Sequence, residues 1–205
     1  MAKKIATEIG ALKLAADVTI PEVAVGVAIF AHGSGSSRLS PRNIHVADRL
    51  NRAGFATVLF DLLTEEEAAD RANVFDVPLL GGRMSQAVVF AGARPELNRL
   101  PIGLFGLVFA GARPELNRLP IGLFGASTGA AAALLAAAKH GRTIAAVVSR
   151  GGRPDLALDH LGQVRAPTLL IVGGYDEPVM EMNQTAQPHC AAKSAWRSFP
   201  ERRIC

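Results

Sequence analysis

The sequence predicts an α/β protein built on a mostly parallel sheet with helices on both faces. Short, continuous apolar runs carry the prediction: VAVGVAIFA at 23–31, ATVLF at 56–60, PIGLF at 120–124, TIAAVVS at 143–149 and PTLLIV at 167–172. Strands apolar on both sides belong to sheets covered on both sides. Helical segments alternate with these runs, which is what parallel strands need to connect.

Taken in order, residues 5–20 suit one or two opening strands that end before Pro21. The run at 23–31 is a buried strand feeding the loop His32, Gly33, Ser34, Gly35, Ser36, Ser37. Ile44, Val46, Ala47, Leu50 and Ala53 recur near helical spacing over 41–53, and Gly54 closes that helix. The strand at 56–60 ends at Asp61, and a helix is predicted over 84–90. PIGLF occurs twice, at 101–105 and 120–124, and both copies read as strands. The Ala-rich segment 128–140 is helical up to Gly141; strands at 143–149 and 167–172 follow, with a helix over 156–161 between them.

A chain of 205 residues and 21.5 kDa is one domain's worth and can bury a core without disulfides or metal. Apolar residues at 49 % with 20 % charged exclude disorder, and no apolar run is long enough to span a bilayer. Glu8, Lys13 and Asp17 interrupt the N-terminal apolar residues, as no secretory leader tolerates, so a cytoplasmic protein is expected. The net charge is +4, of which +3 resides in 188–205, where Lys193, Arg197, Arg202 and Arg203 face only Glu201. Basicity so confined argues against nucleic acid as a partner. Cys190 and Cys205 lie in the same tail, too few and too terminal for a disulfide framework. The predicted organisation is a domain over 1–187 and an aberrant basic tail over 188–205.

Residues 89–106 and 108–125 are the same 18 residues, VFAGARPELNRLPIGLFG, at a period of 19. Two copies do not make a solenoid, and identity without a substitution points to a recent duplication. One copy is surplus, and 89–107 is expected to be the insert.

Gly125, Ala126, Ser127, Thr128 and Gly129 spell G-x-S-x-G between a buried strand and an Ala-rich helix. In that context the turn throws Ser127 out of a strained backbone position as a nucleophile, and the helix start aims N–H groups at developing negative charge. A surface serine on a small-residue turn is the plain alternative. Phosphate binding is disfavoured, since neither G-x-x-x-x-G-K-[ST] nor G-x-G-x-x-G can be read and the next lysine is Lys139. A serine nucleophile needs two oxyanion donors. The N–H of Thr128 is one, and the loop after the strand at 23–31 supplies the other, with Ser34 the candidate. His32 reads as structural. The acid should follow a later strand: Asp176, after PTLLIV, holds that position, although it could merely bond its own turn. Asp61 is the reserve.

The segments VAIFAHGSGSS, SPRN, VLFDLLTEEE, LPIGLFGASTGAAAALLAAA and LLIVGGYDEPV resemble the dienelactone hydrolase branch of the α/β-hydrolase superfamily, over most of the chain to about residue 182. The resemblance implies an eight-stranded, mostly parallel sheet and hydrolysis of small carboxylic esters through an acyl-enzyme, with no metal or other cofactor. Serine stands at position 127 where dienelactone hydrolases proper carry cysteine. A final strand, a turn with the catalytic histidine and a last helix should follow the acid, and none can be read after Asp176, so the last strand and helix are expected to be missing or replaced. The one histidine downstream is His189, where the family has a helix. Read one frame over, from third bases, residues 188–205 can encode ALRCEKRLEVVPGASHL, with a strand, a turn and a histidine in that order; a frame slip near residue 187 accounts for the tail. The reading is a serine ester hydrolase, impaired if no imidazole completes it. The alternative is a non-catalytic protein of the same fold that binds a ligand. Arg42 hints at a carboxylate on the substrate, or simply starts a helix in solvent.

Overall fold

The computed structural model describes residues 2–98 and 119–199. Its centre is an eight-stranded sheet in the order β1-β2-β4-β3-β5-β6-β7-β8. β1 (Lys3–Ile9) and β2 (Leu14–Ile20) form an antiparallel hairpin, turned by Gly10 and Lys13 at positive φ. β2 also lies antiparallel to β4 (Phe55–Phe60); every other pairing, through β3 (Gly26–Ala31), β5 (Ile121–Ala126), β6 (Ile144–Arg150), β7 (Thr168–Gly173) and β8 (Ser194–Phe199), is parallel.

Alternation along the strands sorts the core into two layers. Val27, Ile29, Ala31, Ile121 and Leu123 face α4 (Val77–Ala93) and α6 (Thr128–His140), whereas Ala28, Phe30 and Phe124 face α1 (Pro41–Arg52). Ala130, Ala131, Ala132 and Ala133 are fully buried, and their small side chains let α6 lie close to the sheet and to α4. Gly81 does the same from the other side, since a Cβ there would press on Leu135.

α4 is longer than the helix expected over 84–90. Pro78 falls within its first turn, where no N–H is missed, and Asp76 caps it by accepting from Leu79 N–H at 2.9 Å. Two short capped helices precede it, α2 (Glu65–Ala69) with a capping box between Thr64 and Glu67, and α3 (Arg71–Phe75). The helix expected over 156–161 is a 3-10 turn (Pro154–Ala157) followed by α7 (Leu158–Leu161).

The fold draws on both halves of the duplication. Residues 89–98 complete α4 and form α5 (Pro95–Asn98), with Ala91 and Leu97 buried; the other copy contributes Leu119 and β5. Residues of both copies thus belong to the folded elements. The strand expected at 101–105 lies outside the described residues.

Of the expectation that the last strand is missing or replaced, only the missing strand is corrected. α8 (Glu177–Ala186) crosses back, and Ser194–Phe199 then pairs in register with all of β7 as β8. Its sequence, SAWRSF, occupies the place where the shifted frame puts LEVV. Backbone pairing asks little of side chains, so an edge strand forms without an apolar run. A helix after β8 would fall outside the described residues. Among the described residues, no helix is long and apolar enough to cross a membrane.

Candidate active site

Ser127 stands between Ala126, the last residue of β5, and Thr128, the first of α6, with φ 51° and ψ −125°. This left-handed backbone costs an L residue on the order of 1–3 kcal/mol and is kept only where the surroundings impose it. They do so here by close packing. A Cβ on Gly125 would collide with Ala130 and the Gly129 carbonyl, and one on Gly129 with the carbonyls of Ala31 and His32. The turn is pinned by three backbone bonds: Ser127 N–H to the Arg150 carbonyl at 3.4 Å, and Ala130 and Arg153 N–H to the Ser127 carbonyl at 3.0 and 3.1 Å.

The loop after β3 runs beside this turn. A Cβ on Gly33 would lie 2.9 Å from Ser127 Cβ, so only glycine fits there. Ser36 N–H closes a turn on the Gly33 carbonyl at 3.3 Å. The N–H groups of Ser34 and Thr128 meet no acceptor among the described residues, and both belong to this edge of the sheet. They are the two N–H groups that the sequence reading puts forward as oxyanion donors.

His32 is structural, as expected. Leu62 N–H donates to its Nε2 at 3.0 Å, which leaves Nδ1 as the protonated nitrogen, donating to the Gly33 carbonyl at 3.0 Å. Burial lowers its pKa below the usual imidazole value, outweighing the Gly33 bond and the Asp61 charge that pull it up. Asp61, the reserve acid, is engaged elsewhere: it accepts from Arg38 N–H at 2.7 Å and from Arg38 Nη1 at 2.6 Å, while Arg38 Nε reaches Asp17 at 3.1 Å. This clamp ties the loop after β3 to the end of β4.

Asp176 follows β7 at the same sheet edge as Ser127, with β6 between their strands. It sits at the N-cap of α8, its side chain makes no cap bond, and its N–H donates to the Gly173 carbonyl at 3.1 Å. The structure thus brings Ser127, Thr128 and Ser34 together and sets Asp176 two strands along the same edge.

No imidazole joins them. All five histidines fall within the described residues, and none hydrogen-bonds to Ser127. His189 precedes β8, at the end of the sheet opposite Asp176, because α8 of about 15 Å intervenes. His140 closes the far end of α6. Cys190 is no substitute nucleophile, its thiol being pushed up by burial. Among the described residues, no group of three or more His, Cys, Asp or Glu side chains is placed to hold a metal ion.

Sequence reasoning missed Arg150. It ends β6 opposite Ala126 and turns its guanidinium to the α1 face, 5.9 Å from the Phe124 ring centroid, with Nη2 donating to Asn43 Oδ1 at 3.3 Å. A basic residue closing an apolar strand beside the Ser127 turn was the available signal.

Residues 14–196 match the dienelactone hydrolase family. The chain belongs to that family. The solved dienelactone hydrolase of Anabaena variabilis is 41 % identical, with a TM-score of 0.80, and the match covers all of this chain and 88 % of that one. Est1E from Butyrivibrio proteoclasticus shares the fold at 14 % identity, with a TM-score of 0.72 over 98 % of this chain and 90 % of that one. A Mycobacterium tuberculosis protein named as a candidate phosphoribosyl transferase is 52 % identical over 178 residues, 87 % of this chain. This member of the dienelactone hydrolase family spans only 36 % of that relative's length.

Proposed function

We propose that this chain is a serine hydrolase of small carboxylic esters, working through an acyl-enzyme on Ser127. The observation that carries the reading is the backbone of Ser127, held at φ 51° between β5 and α6 with the unpaired N–H of Thr128 beside it. Ser127 Oγ attacks the acyl carbon and loses its proton. The oxyanion that forms lies between the N–H groups of Thr128 and Ser34. Collapse expels the alcohol, and water then attacks the acyl-enzyme to release the acid and restore Ser127.

Asp176 has the position of the acid that would orient an imidazole. With no histidine at Ser127, the proton passes to solvent, and the oxyanion donors and binding supply what acceleration remains, about 10³-fold or more over water. The same absence favours a second reading, a protein that binds a ligand over Ser127 without turning it over.

A neutral fluorophosphonate probe separates the two, read by intact mass with Ser127→Ala as control. The hydrolase reading expects one slowly formed adduct that the substitution abolishes. A folded chain that takes no adduct is the binding protein instead.

A further inference from the structure

Arg38, Arg83 and Arg153 each meet a carboxylate, on Asp61, Glu67 and Asp155 respectively, at 2.6–2.7 Å. Arg150 meets none among the described residues. Its side chain is half-buried, its Nε is sequestered without an acceptor, and its one hydrogen bond goes to the neutral Asn43. A half-buried guanidinium without a counter-charge favours an anion beside it, because burial takes water from the cation without replacing it by a negative charge.

The neighbourhood makes the shortage worse. Burial lowers the Arg150 pKa from its usual value, and repulsion from Arg42 lowers it further. Arg42 itself is exposed, has no carboxylate among the described residues, and belongs to the first turn of α1, which contains no acidic residue. Two uncompensated guanidiniums therefore share one corner of the sheet edge, next to the Ser127 turn, since Ser127 N–H bonds to the Arg150 carbonyl.

We infer that Arg150 and Arg42 form an anion subsite for a phosphate monoester carried by the substrate, adjoining the Ser127 site. Two positive charges match a dianion better than a singly charged carboxylate, and guanidinium forks suit phosphate oxygens. The Phe124 ring beneath Arg150 and the Asn43 side-chain Oδ1 hold the Arg150 fork in place. This inference rests on the hydrolase reading for the substrate's ester, but the anion site itself does not need turnover.

Calorimetric titration with inorganic phosphate tests it, with acetate as the monoanionic arm. Saturable phosphate binding at millimolar concentration or below is expected, at least about ten-fold tighter than acetate, and weakened about ten-fold or more in Arg150→Gln and in Arg42→Ala. The second variant changes an exposed side chain and so keeps a readout if the first misfolds. Acetate binding as tightly as phosphate would overturn the phosphate assignment. No saturable anion binding, or binding indifferent to both substitutions, would overturn the subsite. Neutral-probe labelling of the unaltered chain reads Ser127 separately: labelling without phosphate binding leaves the hydrolase and removes the subsite, and phosphate binding without labelling does the reverse.

Discussion

The Nε2 of His32 accepts the backbone N–H of Leu62 at 3.0 Å, joining the loop beside Ser127 to the chain after β4. Protonating that nitrogen destroys the acceptor, and burial already lowers the folded pKa below 6.5. Above 6.5 both folded and unfolded His32 are neutral and the bond contributes fully. As pH falls below 6.5 the unfolded chain binds the proton first, and the contribution is lost as pH passes down through the lowered folded value. Thermal stability should therefore decline on acidification from about pH 7.5 to about pH 5.5. His140 is lowered too, by burial and Lys139, so His32→Gln should reduce the slope without abolishing it. Melting curves across that range check this; an unchanged slope in the variant would exclude His32 as a contributor.

Strain at Ser127 is measurable by two substitutions. Its positive φ costs roughly 1–3 kcal/mol, whereas introducing glycine costs about 0.4–1 kcal/mol of unfolded-state entropy. Relief wins, so Ser127→Gly should be more stable than the unaltered chain by about 1 kcal/mol. Ser127→Ala keeps the Cβ and should show no such gain, while both lose probe labelling. Chemical denaturation of the three proteins decides it, and equal stability of the two variants would mean the turn is unstrained.

Much of this was legible because apolar runs are physical requirements of buried parallel strands. β3 and β5 carry no polar side chain on either face, and Gly125 and Gly129 cannot carry a Cβ. Three features escaped. α4 is longer than its expected 84–90 because Pro78 is accommodated in its first turn and Gly81 gives room for Leu135 to pack. β8 escaped because SAWRSF has no strand-like run and owes its place to pairing with β7. Arg150 escaped because a missing counter-charge is visible only once every neighbour is placed.

The duplication offers a test of what the fold needs. Because the repeat is perfect, removing any 19 consecutive residues that begin between 89 and 107 leaves one and the same sequence. Deleting 99–117 thus joins the α5 half of one copy to the β5 half of the other, with Leu97 and Leu119 both kept in the core. The shortened chain should fold, with stability equal to or on the order of 1–2 kcal/mol above the original, because a long connection is shortened. Loss of folding in the deletion would show that the extra residues are structural. Denaturant melts of the two chains give the comparison.

The missing base predicts how Ser127 reacts with a neutral phosphonylating probe. A positioned general base is worth about 10²–10⁴-fold, and without one the labelling rate should climb with pH and reach no plateau near neutrality. Added imidazole should accelerate it severalfold, and Ser127→Ala should be inert under all conditions. Replacing residues 188–205 by the shifted-frame sequence ALRCEKRLEVVPGASHL puts a histidine a few residues after the β8 position in sequence, and β8 runs parallel to β7 toward the sheet edge of Ser127 and Asp176. If Asp176 is the orienting acid, that exchange should raise the labelling rate by about 10²-fold or more and create a plateau governed by an imidazole. Asp176→Asn in the exchanged chain should remove most of the gain. A plateau near neutrality in the original chain would instead mean that one of its own five histidines already reaches Ser127.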